Sequence, residues 1–209
     1  VPMAAFVYSS ANQLIGFASG VPEEVTGRRV IYLEGVAVHP EYTSRHLYSL
    51  LVAARILHMT RGLDQKTWLL ATRTQSPVVF RKMTAPDAYA LYPRLGEDVP
   101  AFLPPIAEAF SALVREKYSD CQSEAGLHFD RATFVIRRAY GSTDNATRRE
   151  KGFCMYGNTV PYLDETVPDR TQSERNRHIN AFFKDTSRID LTNGDAVMLI
   201  GQVNVLAAR

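Results

Sequence analysis

The sequence predicts a mixed α/β or α+β fold on a sheet that combines antiparallel and parallel strands. Three observations predict it. Short β-rich runs separated by turn residues crowd the first forty positions. The mostly apolar run VIYLEGVAV, residues 30–38, then leads through a break into an amphipathic helix and a further strand, which is a crossover. The second half alternates helix, strand, helix and strand.

The elements follow in order. MAAFVYSS and LIGFASGV flank the turn ANQ and form a hairpin. VPEEVTGRR is a polar loop. Residues 30–38 read as a central strand, because few polar positions interrupt them. HPEYTS ends that strand, and Thr43 or Ser44 can cap the helix that follows. From Arg45 to Arg61, the apolar residues Leu47, Leu50, Leu51, Ala54 and Leu57 fall three and four apart on one face, and Gly62 ends the helix. KTWLLATR is the next strand. SPVVFRKM is a short helix with Ser76 as its cap and Pro77 in its first turn. Residues 84–103 are irregular, with proline and aromatic side chains. Pro105 opens a helix with the face Ile106, Phe110, Leu113 and Val114. RATFVIRRAY reads as a strand and residues 141–171 as a long polar excursion. QSERNRHINAFFKDT is a helix, and DAVMLIGQVNVL is a closing strand.

Bulk properties narrow the function. A chain of 209 residues suits one domain, read here as 1–209 with irregular insertions at about 84–103 and 141–171. A hydrophobic content of 45% supports a packed core. The net charge of +2 is well mixed, so no nucleic-acid partner is expected, and Arg137-Arg138 and RREK read as solvated faces. No apolar run approaches the length of a membrane span, so no membrane partner is expected. The start, VPMAAFVYSS, does not read as a secretory signal. Cys121 and Cys154 could pair, but two thiols in a chain this long read more readily as free cysteines of a cytoplasmic protein. A covalent role for Cys154 is a minor alternative, since no local base is evident. His39, His46, His58, His128 and His178 lack metal-binding spacing, so no metal site is expected. No P-loop or nucleophile elbow occurs.

One stretch does point to chemistry. EGVAVHPEYTSRHLYSLLVAAR, residues 34–55, runs strand, turn, helix start. Such a junction aims backbone N–H groups and a partial positive charge at a phosphate. No glycine falls between Gly35 and Gly62, although glycine usually opens such a turn to its ligand. Arg45 could offset that by a direct phosphate contact. The plainer reading is an ordinary capped helix start.

YLEGVAVHPEY, the helix LYSLLVAARIL and the strand TWLLATR resemble the Gcn5-related N-acetyltransferase (GNAT) superfamily, over about residues 3–83, as a divergent member. The resemblance implies a mixed, mostly antiparallel sheet with helices on both faces, splayed between the family's fourth and fifth strands. It implies acyl transfer from acetyl-CoA or another acyl-CoA to a small-molecule or peptide amine. The backbone at Val36, Ala37 and Val38 would then hold the pantetheine arm and polarise the thioester carbonyl. Thr43, Ser44, Arg45, His46, Leu47 and Tyr48 would hold the pyrophosphate, with His46 and Tyr48 standing where the family has glycines. Glu34 matches a glutamate that some members use as general base, and an apolar strand would raise its pKa. The plainer reading is a structural carboxylate bonded to the backbone or to Arg28 or Arg29. The family's acid for the thiolate is a tyrosine in an FY pair, which is Phe80-Arg81 here. Tyr89 or Tyr92 could replace it, and each also reads as a packing aromatic.

In the family a strand and two helices usually precede this hairpin; here the hairpin begins almost at residue 1, so either the chain is a fragment or that part comes from elsewhere. A sheet edge left open there would favour a homodimer. Two other readings stand beside the first. One is a GNAT-like scaffold for binding or regulation that no longer takes CoA. The other is an acyltransferase whose donor is an acyl carrier protein or an aminoacyl-tRNA.

Overall fold

The computed structural model describes residues 3–61, 68–85, 89–118, 128–139, 162–190 and 194–203; the side chains of Met3, Ser44 and Arg45 fall outside that description. Cys121, Cys154, Gly62, the RREK run and residues 141–161 of the polar excursion also lie outside the described residues. The chain divides into two compact units, Val1–Thr72 with Gly201–Arg209, and Arg73–Ile200, each described by itself.

The first unit begins with three antiparallel strands, β1 (Met3–Tyr8), β2 (Leu14–Val25) and β3 (Arg28–Val38). β2 is longer than its sequence suggests. VPEE continues the strand instead of looping, with Pro22 paired to Ile31 and Val25 to Arg28. β1 pairs with Leu14–Gly20, so Val21–Val25 has β3 as its only described neighbour. A proline without an N–H is tolerated on such an edge. Thr26 and Gly27 join β2 to β3, with φ of +49° and +72°. Positive φ at both central residues gives the tight hairpin turn whose twist suits its strands.

Val30–Leu33 are all buried, as a central strand requires. They pair in parallel with Leu69–Thr72 of β4 (Leu69–Thr74), so this sheet is mixed and mostly antiparallel, as expected. The crossover runs through a 3₁₀ turn, Pro40–Arg45, and helix α1 (Leu47–Thr60). The buried face of α1 is Leu51, Val52, Arg55, Ile56 and Met59. That corrects the expected face: Leu50 and Leu57 are exposed, because the helix is apolar on more than one side and the overlapping stripe through Leu51, Val52, Ile56 and Met59 is the one that packs inward. The helix ends where Arg61 turns extended.

The second unit contains α2 (Pro77–Met83), α3 (Leu103–Tyr118), β5 (Phe129–Asp130), β6 (Val135–Ile136), α4 (Arg170–Ala181) and most of β7 (Ala196–Gln202). Ser76 caps α2 and Pro77 opens it, as expected. α3 buries Ile106, Phe110 and Val114. The single strand expected over RATFVIRRAY is instead two short ones around the turn Arg131–Phe134. Asp130 makes that turn by accepting from the Ala132 N–H at 2.9 Å and the Thr133 hydroxyl at 2.6 Å. β6 pairs antiparallel with both β5 and β7. Arg137 is not the solvated cation expected. It donates to the buried Asp195 carboxylate at 2.7 Å and to the carbonyls of Ser187 and Arg188. Helix α4 runs into a π-helical turn, Phe182–Thr186, that sets Phe182 and Phe183 against Phe80, with ring centroids 5.2 and 5.5 Å from it.

Candidate functional site

The first unit positions most of the candidate residues. Along β2 and β3, Ser19 pairs with Gly35 and Gly20 with Leu33. Glu34 is therefore the extra residue of a β-bulge. A bulge re-aims its side chain, and here Glu34 is exposed while Val30–Leu33 are buried. The enclosed, apolar setting expected for this carboxylate is absent. A cation replaces it: Arg55, 2% exposed, reaches up from α1 and donates from Nη2 to the Gly20 carbonyl at 2.5 Å. Burial lowers the Arg55 pKa, and the negative charge of Glu34 works against that. Only a glycine fits opposite the bulge, since a Cβ at Gly20 would lie 2.6 Å from the Tyr32 carbonyl oxygen. The bulge, Gly20 and Arg55 thus form one assembly beside Glu34.

Beyond the bulge, the backbone of β3 changes role. The His39 N–H donates to the Ile15 carbonyl at 2.8 Å, in the register that pairs Val38 with Gly16. Bonded and non-bonded pairs alternate along an antiparallel ladder. Ala37 therefore bonds to β2, while Val36 and Val38 turn their N–H and C=O groups to the opposite edge. Parallel pairing with β4 runs from Val30 to Leu33, and the Thr72 hydroxyl closes it by donating to the Leu33 carbonyl at 3.0 Å.

The turn after β3 is built from backbone. Tyr42 N–H donates to the His39 carbonyl at 2.9 Å, and the Thr43 hydroxyl donates to the Pro40 carbonyl at 2.9 Å. The N-cap position of α1 falls on neither Thr43 nor Ser44. The residue at the N-cap is His46, with φ +56° and ψ +12° and no side-chain cap bond. The position that the resemblance gives to a glycine does adopt the left-handed conformation that favours glycine. Histidine tolerates it better than most residues do. The first bond within the helix runs from the Leu50 N–H to the His46 carbonyl at 3.1 Å, and the first turn carries no acidic side chain. The His46 side chain is exposed, and Leu47 and Tyr48 are half-buried. Gly16 lets β2 pass close under α1, where a Cβ would lie 2.9 Å from Leu51 Cδ1. Ser44 and Arg45 belong to the turn, and their side chains lie outside the described residues.

Tyr89 and Tyr92 belong to the second unit. Burial pushes the Tyr89 phenol up to about 12, so it keeps its proton through the neutral range. The Tyr92 hydroxyl accepts from Arg94 Nη2 at 2.9 Å, and the Arg94 guanidinium lies over its ring, 4.4 Å from the centroid. The sequence reading missed both the bulge and Arg55. Gly20, inside a β-run, was the available signal for the bulge. No group of three or more His, Cys, Asp or Glu among the described residues could hold a metal ion.

Comparison with known proteins finds a match over part of the chain. Residues 2–77 match the model of the acetyltransferase (GNAT) family. No curated protein matches the chain. Among solved structures, nourseothricin acetyltransferase is 19% identical over 38% of this chain and 47% of its own, with a TM-score of 0.30. An acetyltransferase from Bacillus cereus ATCC 14579 is 12% identical over 39% of this chain and 56% of its own, TM-score 0.29. Ribosomal-protein-alanine N-acetyltransferase from Brucella melitensis biovar Abortus 2308 is 17% identical over 46% and 69%, TM-score 0.33. The chain spans about half the length of the first two.

Proposed function

We infer the function from one premise: residues 2–77 are a divergent member of the acetyltransferase (GNAT) family. The chain transfers an acyl group from an acyl-CoA thioester to an amine. The observation that carries this reading is the end of β3. There Val36 and Val38 turn their peptide groups away from β2, immediately before a helix start with neither side-chain cap nor first-turn acid.

Each part has a physical role. The pantetheine arm, itself a chain of amides, runs along Val36–Val38 as an added strand would, exchanging N–H and C=O bonds with that edge. A backbone N–H at this level donates to the thioester carbonyl and receives the charge that builds on its oxygen. The pyrophosphate sits over the N–H groups of residues 46–48, at the positive end of α1. Thr43, Ser44 and Arg45 form the turn before it. The acceptor must lose a proton to expose its lone pair, and Glu34 takes that proton from the exposed side of the bulge. The nitrogen–carbon bond forms, the carbon–sulfur bond breaks, and the sulfur leaves as a thiolate. A cytoplasmic location, with its supply of acyl-CoA, and a small amine or peptide acceptor belong to the same proposal.

Titration calorimetry tests it. Acetyl-CoA should bind, and dephospho-CoA should retain the pyrophosphate contribution. His46→Asp places an anion and a good cap at the helix start. It should weaken CoA at least tenfold, or about 1.4 kcal/mol, while the fold holds or gains stability. Glu34→Gln should leave CoA binding intact and cut turnover of an accepted amine by about 10²-fold or more. If the folded chain binds no CoA, the reading is wrong, and a non-catalytic scaffold or a carrier-linked donor takes its place.

A further inference from the structure

Helix α1 packs on β2 and β3 through an apolar face that one charged residue interrupts. Arg55 sits among Leu51, Val52, Ile56 and Met59 and is itself buried. Its Nε is enclosed without a hydrogen-bond partner among the described residues. A methionine of similar length would fill that place without desolvating a cation. A local rule broken inside a packed face points to a functional demand on the position.

The bond that Arg55 makes shows the demand. Its Nη2 donates to the carbonyl of Gly20, 35 residues earlier in the chain, and Gly20 is where the β2–β3 register shifts. A bulge interrupts the ladder, so the strands need another anchor there if one is not to slip along the other. The guanidinium supplies that anchor from the helix, at a position where β2 itself admits no side chain.

We propose that Arg55 is a positioning residue: by holding the Gly20 carbonyl it fixes the register shift, and through the shift it fixes which peptide groups Val36 and Val38 turn to the edge. Without it, Gly35–Val38 slide by one residue against β2, and Ala37 takes the edge-facing role from its neighbours. What the edge binds rests on the acyl-transfer reading. The lock itself rests on the Arg55–Gly20 bond and the register, all within the first unit.

Magnetic resonance and calorimetry on the full chain test the lock and its consequence separately. Val36 and Ala18 form a non-hydrogen-bonded pair, in the same register as the His39–Ile15 bond, and the α-protons of such a pair give a strong nuclear Overhauser contact. Arg55→Met removes the charge and the donors. It should lose the Val36–Ala18 contact and bind acetyl-CoA at least tenfold more weakly. Arg55→Lys keeps a donor on a shorter reach and should show smaller losses of both; it carries the test if Arg55→Met does not fold. Met59→Ala, on the same buried face, should lower the melting temperature and leave both readouts unchanged, which separates positioning from general destabilisation. A Val36–Ala18 contact that persists in the Arg55 variants would overturn the proposal, even with a wild type that binds acetyl-CoA. A lost contact with unchanged affinity, or equal losses in Met59→Ala, would overturn it too. If the wild type binds no acetyl-CoA, the acyl-transfer reading falls, and the Val36–Ala18 contact alone decides the lock: its loss in Arg55→Met upholds it.

Discussion

The turn between β3 and α1 and the turns of the second unit satisfy their backbones by different means. In the second unit, polar side chains do the work. Ser76 caps α2 and Asp169 caps α4. Asp130 holds its turn. Asn180, itself buried, donates to the Leu163 carbonyl and accepts from the Leu163 N–H, both at 2.9 Å. Asp195 accepts from Arg137 and from the N–H groups of Arg138 and Asp190. Between His39 and Tyr48 the described turn uses the Tyr42 N–H bond to the His39 carbonyl and the Thr43 hydroxyl bond to the Pro40 carbonyl, and α1 begins on a left-handed histidine with no side-chain cap bond. The difference teaches that capping is a choice. A capped helix end gains stability and offers less positive potential to a ligand. An uncapped one gives up that stability and keeps the potential.

Substitutions can break this contrast. The largest effect is expected from Asp195→Ala. Removing a buried carboxylate from a half-buried guanidinium should cost about 3–5 kcal/mol in urea unfolding. A cost near zero would mean that the side-chain staples of this unit carry little. Asn180→Ala strips both peptide groups of Leu163 of a partner and should cost about 2 kcal/mol. Asp169→Ala, a cap alone, should cost about 1 kcal/mol.

His46→Gly should have the opposite sign. It relieves a left-handed side chain, and after the entropy of glycine is counted it should stabilise by about 0.5–1 kcal/mol. Destabilisation there would show that the His46 side chain supports the turn after all. The smallest effect is a pH dependence. The hydrogen bond from Thr133 holds the Asp130 carboxyl below its usual range, with the Ala132 and Thr133 N–H groups and the Arg137 charge adding to it. A carboxyl lowered on folding stabilises above its unfolded pKa of about 4, and that contribution disappears as pH falls through the folded value. Asp130→Asn should therefore flatten the loss of stability below about pH 4, read from melting temperatures across that range.

Much of the fold was legible in the sequence because local signals agreed with it. Residues 30–38 are apolar enough to be a central strand, and Ser76-Pro77 is an unambiguous helix start. The failures have physical causes. Pro22 and the two glutamates after it read as a loop, yet an edge with no described second neighbour accepts all three. The α1 face was misplaced because the helix carries two overlapping apolar stripes, and Arg55 disguised the one that is buried. Arg55 was passed over because a single arginine in an apolar helix looks like a solvated residue. For the candidate site, the sequence marked the right segment but not its mechanism of assembly. A bulge depends on pairing between two strands, and no stretch of either strand contains that information alone.

The bulge at Glu34 also acts as a phase shifter. A strand alternates with a period of two, so its sides and edges are fixed along its length once one residue is fixed. One inserted residue breaks that constraint. Arg28–Leu33 keep the register that packs the first unit, while Gly35–Val38 take the opposite parity and turn a different set of peptide groups to the edge. Selection can then tune the packing half and the edge-presenting half separately. Deleting Glu34 would restore perfect pairing and remove that independence, exchanging the roles of Val36 and Val38 with those of their neighbours.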